Sequence, residues 1–190
     1  MHDLRFIKSN FVFYLLLTIV TSSFPMNLYK PDDPILFIHG LGSSSSAWDN
    51  LVSDFKNQGL IYGGNCASGS SELNKGDFYT IDIANTEDIT FDELESAIST
   101  AIKTIKRVND AEKIILVGHS LGGIGGRAYL NTHPGDVLAL ITIGTPHGGS
   151  YLGYARDFLG GGYSLKNILL NKRQDLVFTL VCKVKEEIVM

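Results

Sequence analysis

Apolar residues along the chain fall into two patterns, short and mostly apolar runs and stripes that recur every three or four positions. The runs are Ile35 to Ile38, Phe78 to Ile83, Ile114 to Val117 and Val137 to Ile143. Rich in Ile and Val and with little polar alternation, they read as parallel strands buried on both faces. Trp48, Leu51, Val52 and Phe55 share one face of a predicted helix over 47–55. Leu94, Ile98, Ile102, Ile105 and Val108 form a longer stripe that ends near Asn109 and Asp110. Thr90 stands three residues before Glu93, the spacing of a capping box that opens this helix. A glycine-rich helix is predicted from Leu121 to about Asn131. Residues 57–76, rich in Gly, Ser and Asn, read as a loop carrying Cys66. Strands alternating with helices predict an α/β fold, a parallel sheet with helices on both faces, because parallel neighbours need crossover connections.

Composition narrows this picture without changing it. A length of 190 residues, 44% hydrophobic and 19% charged with 20 glycines, suits one globular domain. A net charge of −4 without a basic cluster argues against a nucleic-acid partner. Arg5 and Lys8 precede an apolar stretch from Phe11 to Val20 and the small residues Thr21, Ser22 and Ser23. That is the pattern of a secretory signal peptide over 1–23, which leaves 24–190 as the domain and predicts a secreted or periplasmic protein. Export permits a disulfide, for which Cys66 and Cys182 are the two candidates.

The strand at 114–117 runs into Gly118-His119-Ser120-Leu121-Gly122, a Gly-x-Ser-x-Gly sequence between strand and helix. In that setting it reads as a nucleophile elbow, with Ser120 as the nucleophile. Gly118 and Gly122 are required where the chain passes so close to its neighbours that a β-carbon would collide. Gly123, Gly125 and Ala128 also match a Gly-x-Gly-x-x-Ala dinucleotide fingerprint. They fall several residues past the strand end, whereas a pyrophosphate loop needs its first glycine at the strand terminus. No cofactor and no metal is therefore expected. His39-Gly40-Leu41-Gly42 closes another strand, so the backbone N–H groups of Leu41 and Leu121 are the candidate oxyanion donors. His39 is expected to brace its loop by hydrogen bonds.

The segments Pro34 to Leu41, Gly118 to Gly123 and Gly144 to Ser150 together resemble the α/β-hydrolase lipases, above all secreted bacterial triacylglycerol lipases and the related inositol-deacylase-like group. The resemblance implies an α/β-hydrolase fold, hydrolysis of lipid carboxylic esters through an acyl-enzyme, and transient contact with a lipid interface. It further implies Ser120 as nucleophile, Leu41 and Leu121 as oxyanion donors, a lid-like part over 151–190, and His147 as a residue flanking the site. Protein partners are not indicated.

Such hydrolases complete their triad with an acid and then a histidine after later strands. No histidine follows His147 here, and Asp157 and Asp175 have no downstream imidazole to orient. The expectation is a chain with an incomplete C-terminal sheet that lacks the catalytic His and Asp, with recruitment of His147 as the alternative. A sheet ending after 137–143 would leave an unpaired edge. A different class of function then also fits, a non-catalytic hydrolase-like fragment that binds a lipid or a protein.

Overall fold

In the computed structural model residues 30–67, 73–148 and 180–181 are described. The apolar runs form β1 (Ile35–Ile38), β3 (Phe78–Asp82), β4 (Ile114–His119) and β5 (Val137–Ile143). With β2 (Tyr62–Ala67) and β6 (Leu180–Val181) they make one sheet in the order β2-β3-β1-β4-β5-β6. The first five strands are parallel, and β6 pairs antiparallel with β5.

One strand, β2, departs from expectation, and so does the edge expected to stand free beside β5. β2 lies inside the stretch read as a loop. Its glycines belong to a bulge, where the register with β3 slips between Tyr62 and Gly64. Gly63 lies there against the Tyr79 ring, in space that a β-carbon would occupy. A strand that must bend around an aromatic ring carries glycine and so loses the apolar signature of its neighbours. The outer edge of β5, expected to stand unpaired, is covered in part, with Leu140 opposite Val181 and Ile141 opposite Leu180.

Alternation along each strand builds two cores. Leu36, Ile38, Tyr79, Ile81, Ile114, Leu116 and Leu140 face one side. There α2 (Phe91–Asn109) and α3 (Leu121–Thr132) cover them. Phe37, Phe78 and Val117 face the other side with Trp48, which ends a 3-10 turn, Ser45–Trp48, leading into α1 (Asp49–Asn57). On this side Phe37 packs against Trp48 at 5.1 Å between ring centroids, and Phe55 meets Phe78 edge-on at 5.3 Å. Helices thus lie on both faces, as the alternating pattern implies.

α2 forms as its sequence dictates. The Thr90 side chain accepts from the Glu93 N–H, the Glu93 carboxylate accepts from the Thr90 N–H, and the helix stops at Asp110 in the left-handed region. Its stripe of Leu94, Ile98, Ile102 and Ile105 is buried. Each such side chain contributes about 1.5–3 kcal/mol through burial.

The proposed signal peptide, Cys182, Asp157, Asp175 and nearly all of the lid-like part lie outside the described residues. Cys66 is half-buried, and burial pushes its thiol pKa up to about 12, so it stays protonated and unreactive.

Candidate active site

The parallel strands deliver their C-terminal ends to one edge of the sheet, where α/β folds place their sites. Register sets the level of each end. Ile38 pairs with Ile81 and with Gly118, and Gly118 pairs with Thr142. The next residues, Asp82, His39, His119 and Ile143, therefore form one row across the sheet edge, with Ser120 just beyond it.

Ser120 sits at the strand-to-helix junction with φ 51° and ψ −116°. A side chain rarely adopts that backbone geometry, and holding it there costs on the order of 1–3 kcal/mol. Surrounding contacts enforce it. The Ser120 N–H donates to the Ile143 carbonyl at 2.9 Å, and the Ser120 carbonyl accepts from Gly123 at 3.1 Å. A β-carbon on Gly118 would stand 2.5 Å from the Gly123 backbone, and one on Gly122 2.5 Å from the carbonyl oxygens of Ile38 and His39. The glycines at both positions let strand, helix and the end of β1 close up around the turn. Ser120 makes no side-chain capping bond to α3, which leaves its hydroxyl uncommitted to the helix.

The loop after β1 lies against this turn. A β-carbon on Gly40 would be 3.1 Å from the Ser120 Cβ and 2.9 Å from the His119 Nδ1. Leu41 follows at once and is half-buried against the core. Leu121 is the first residue of α3, so its N–H has no partner within the helix. The structure thus brings the loop that carries Leu41 and the first turn of α3, with Leu121, up to Ser120.

The histidines have different surroundings. His39 is 1% exposed; its Nε2 accepts from the Ile83 N–H at 3.0 Å, which places the ring proton on Nδ1, 2.9 Å from the Gly40 carbonyl. Both nitrogens are occupied in bracing the loop. His119 is exposed at the sheet edge, though such desolvation as it has lowers its pKa. His147 Nε2 lies 3.0 Å from the Thr142 hydroxyl, and Arg127 donates to the His147 carbonyl at 3.3 Å. Burial, then the Arg127 charge, keeps this imidazole below its ordinary pKa. His133 lies at the far end of α3, stacked on Tyr129.

Four further residues at this edge escape the sequence reading. Asp82 Oδ1 accepts from the Ser45 N–H at 2.5 Å, and its Oδ2 accepts from Asn65 Nδ2 at 2.5 Å. Thr86 Oγ1 accepts from the Gly42 N–H at 2.9 Å. Partial burial acts to raise the Asp82 pKa, but the Ser45 and Asn65 bonds prevail and hold the carboxyl below its ordinary value. The available signal is the place of Asp82 at the end of a parallel strand. Asn65 had none, since β2 itself was read as a loop.

The Gly-x-Gly-x-x-Ala residues lie within α3. Gly123 packs on the Thr145 side chain, and Gly125 and Gly126 pack on Leu94 and Leu140. They are helix-packing positions, set back from any strand terminus.

Comparison with known proteins agrees with this architecture. The chain is 26% identical over 134 residues to a triacylglycerol lipase of Pseudarthrobacter phenanthrenivorans, covering 66% of this chain and 37% of that protein. It is 28% identical over 111 residues to protein phosphatase methylesterase 1 of Candida albicans, covering 57% of this chain and 28% of that protein. The match thus spans about a third of the length of these curated relatives. Among solved structures, the mature form of the Bacillus licheniformis lipase BlEst2 superposes with a TM-score of 0.52 at 26% identity, over 74% of this chain and 57% of that one. The lin2722 product of Listeria innocua shares the fold, with a TM-score of 0.53 at 19% identity over 74% of this chain and 64% of its own. Residues 31–175 match the family described as the PGAP1-like alpha/beta domain, which accounts for the sheet, the strand-to-helix turn and the lipase and esterase relatives together: the chain belongs to this family of lipase- and esterase-type α/β hydrolases.

Proposed function

We propose that this chain carries the nucleophile and oxyanion-binding half of a serine hydrolase that acts on carboxylic esters of lipids. In this reading Ser120 Oγ attacks the ester carbonyl carbon. The resulting oxyanion receives the N–H groups of Leu41 and Leu121, and the alkoxide leaves with the serine's proton. Water then releases the acid from the acyl-enzyme. The observation that carries the proposal is the Ser120 backbone at φ 51° and ψ −116°, with Gly40 packed against it. A need to present the hydroxyl accounts for a serine, rather than glycine, in this conformation. The lipid nature of the ester is carried over from the lipase relatives, and export from the predicted signal peptide.

Proton transfer needs a base. His39 is committed through both nitrogens, and His147 spends Nε2 on Thr142 while its buried Nδ1 has no partner, so neither ring is hydrogen-bonded to Ser120 in this arrangement. That observation favours a second reading, in which the domain binds a lipid or a protein without turnover. A fluorophosphonate probe separates the two. The hydrolase reading expects labelling of the parent chain at Ser120, abolished in Ser120→Ala, and Ser120-dependent hydrolysis of p-nitrophenyl butyrate. An unlabelled, folded parent chain sinks it and leaves the binding reading.

A further inference from the structure

The loop that would carry the oxyanion donor Leu41 is short of structure of its own. Between β1 and the 3-10 turn, His39 to Ser44 form no strand or helix. The loop is instead tied at three points to the chain that leaves β3. His39 accepts from Ile83, Gly42 donates to Thr86, and Ser45 donates to Asp82. Asn65 of β2 joins the third tie, donating from Nδ2 to Asp82 and lying 3.1 Å from the Ser45 hydroxyl. Two of the ties, at His39 and Gly42, lie on either side of Leu41 in sequence, and Asp82 fixes the far end of the loop. A cavity of about 450 Å³ opens at this junction, bordered by Gly42, Ser44, Asp82 and Thr86.

We infer that Asp82 is a positioning residue for the oxyanion loop, acting through Ser45 and Asn65 and seconded by Thr86 at Gly42. This role rests on the hydrolase reading of Ser120. The chemistry asks for a carboxylate. Two donors, a backbone N–H and a side-chain NH2, converge on the two oxygens of one side chain, and only an ionised carboxylate accepts through both. An asparagine of the same shape would turn its own NH2 toward one of them. An oxyanion donor displaced by a fraction of an ångström no longer meets the charge that develops on the carbonyl oxygen, while substrate binding is little altered. The signature of the role is therefore a fall in kcat without a change in KM.

The test compares the parent chain, Asp82→Asn and Thr86→Val in hydrolysis of p-nitrophenyl butyrate, with amide hydrogen exchange measured on each. Removing a whole oxyanion donor typically costs a factor of about 100 to 1,000 in kcat. Displacing one through its support is expected to cost about tenfold in Asp82→Asn and less in Thr86→Val, with KM within about twofold and both variants melting cooperatively. Exchange at the amides of Gly42 and Ser45 should quicken by about tenfold in the corresponding variant, while the amides of α2 hold. An unchanged kcat in Asp82→Asn beside an active parent overturns the positioning role alone, as does unchanged exchange in both variants. A parent without Ser120-dependent hydrolysis overturns the hydrolase reading and this role with it.

Discussion

Thr90 and Ser120 occupy the same place in two helices that pack side by side on one face of the sheet, yet they are used in opposite ways. Thr90, in extended backbone, spends its hydroxyl on the N–H of Glu93 and receives a carboxylate in return. Ser120, in a backbone region that favours glycine, makes no capping bond. The helices behind them differ to match. α2 has a buried stripe of leucine and isoleucine and a complete capping box. α3 has Gly122, Gly123, Gly125 and Gly126 and is buried over most of its first two turns. Glycine in a helix interior is about 1 kcal/mol less favourable than alanine, so α3 is a poor helix by composition. It holds because it is wedged between β1, Thr145, Leu94 and Leu140, at Gly122 and Gly123 closer than a β-carbon permits. One helix is stable on its own terms, and the other gives up intrinsic stability to hold a serine in place.

The strongest way to break this contrast is to add one methyl group to α3. In Gly122→Ala the new carbon would lie 2.5 Å from two backbone carbonyl oxygens of the β1 end, atoms that cannot move without opening the sheet. The expected loss is about 3 kcal/mol or more, read in urea melts, and it should displace the Leu41 loop as well. The reverse exchange in α2, Ala97→Gly, is expected to cost about 1 kcal/mol. Equal losses would mean that the glycines of α3 serve no close approach.

A smaller effect is expected where the two helices are tied together at the opposite edge of the sheet. Asp136, just before β5, accepts from Lys106 of α2 at 2.5 Å and from the buried Tyr129 of α3 at 2.7 Å. These two bonds hold its carboxyl below the ordinary value. A carboxyl whose folded pKa is depressed adds stability that is complete above its unfolded pKa, about 4, and is lost as pH falls through the folded value. The melting temperature should therefore decline below about pH 4, and Asp136→Asn should weaken that decline. At pH 7 the variant is expected to lose about 2 kcal/mol, because it leaves the Tyr129 hydroxyl and the Lys106 charge less well paired. Asp82 and Glu93, also depressed, would keep part of the acid slope in the variant.

The same contrast governs what could be read from the sequence. α2 was legible almost to the residue because capping box, stripe and end signal agree. The elbow was legible for the opposite reason, a local rule broken in a recognisable way, with glycines crowding a serine between strand and helix. β2 was not, since its bulge at Gly63 against Tyr79 replaces the apolar signature with Gly-Gly. The ties from Asp82, Asn65 and Thr86 to the loop after β1 were not either. They join residues 17 to 44 positions apart, and only the strand order β2-β3-β1 makes those positions neighbours. Motifs reveal groups that act through local backbone, whereas the groups that position them depend on topology.

The finest test returns to the two N-caps, where the expected effects are small and of opposite sign. Thr90→Ala removes a hydroxyl that satisfies an orphan N–H and should cost about 1 kcal/mol. Ser120→Gly removes a β-carbon from a conformation with φ 51°, and the relief of strain should outweigh the added freedom of the unfolded chain by about 1 kcal/mol. Paired chemical melts resolve differences of this size when the two variants are measured beside the parent. A destabilised Ser120→Gly would mean that the hydroxyl makes a structural bond and is not held in reserve. A stabilised one, with the nucleophile gone, is what a serine kept at the expense of stability predicts.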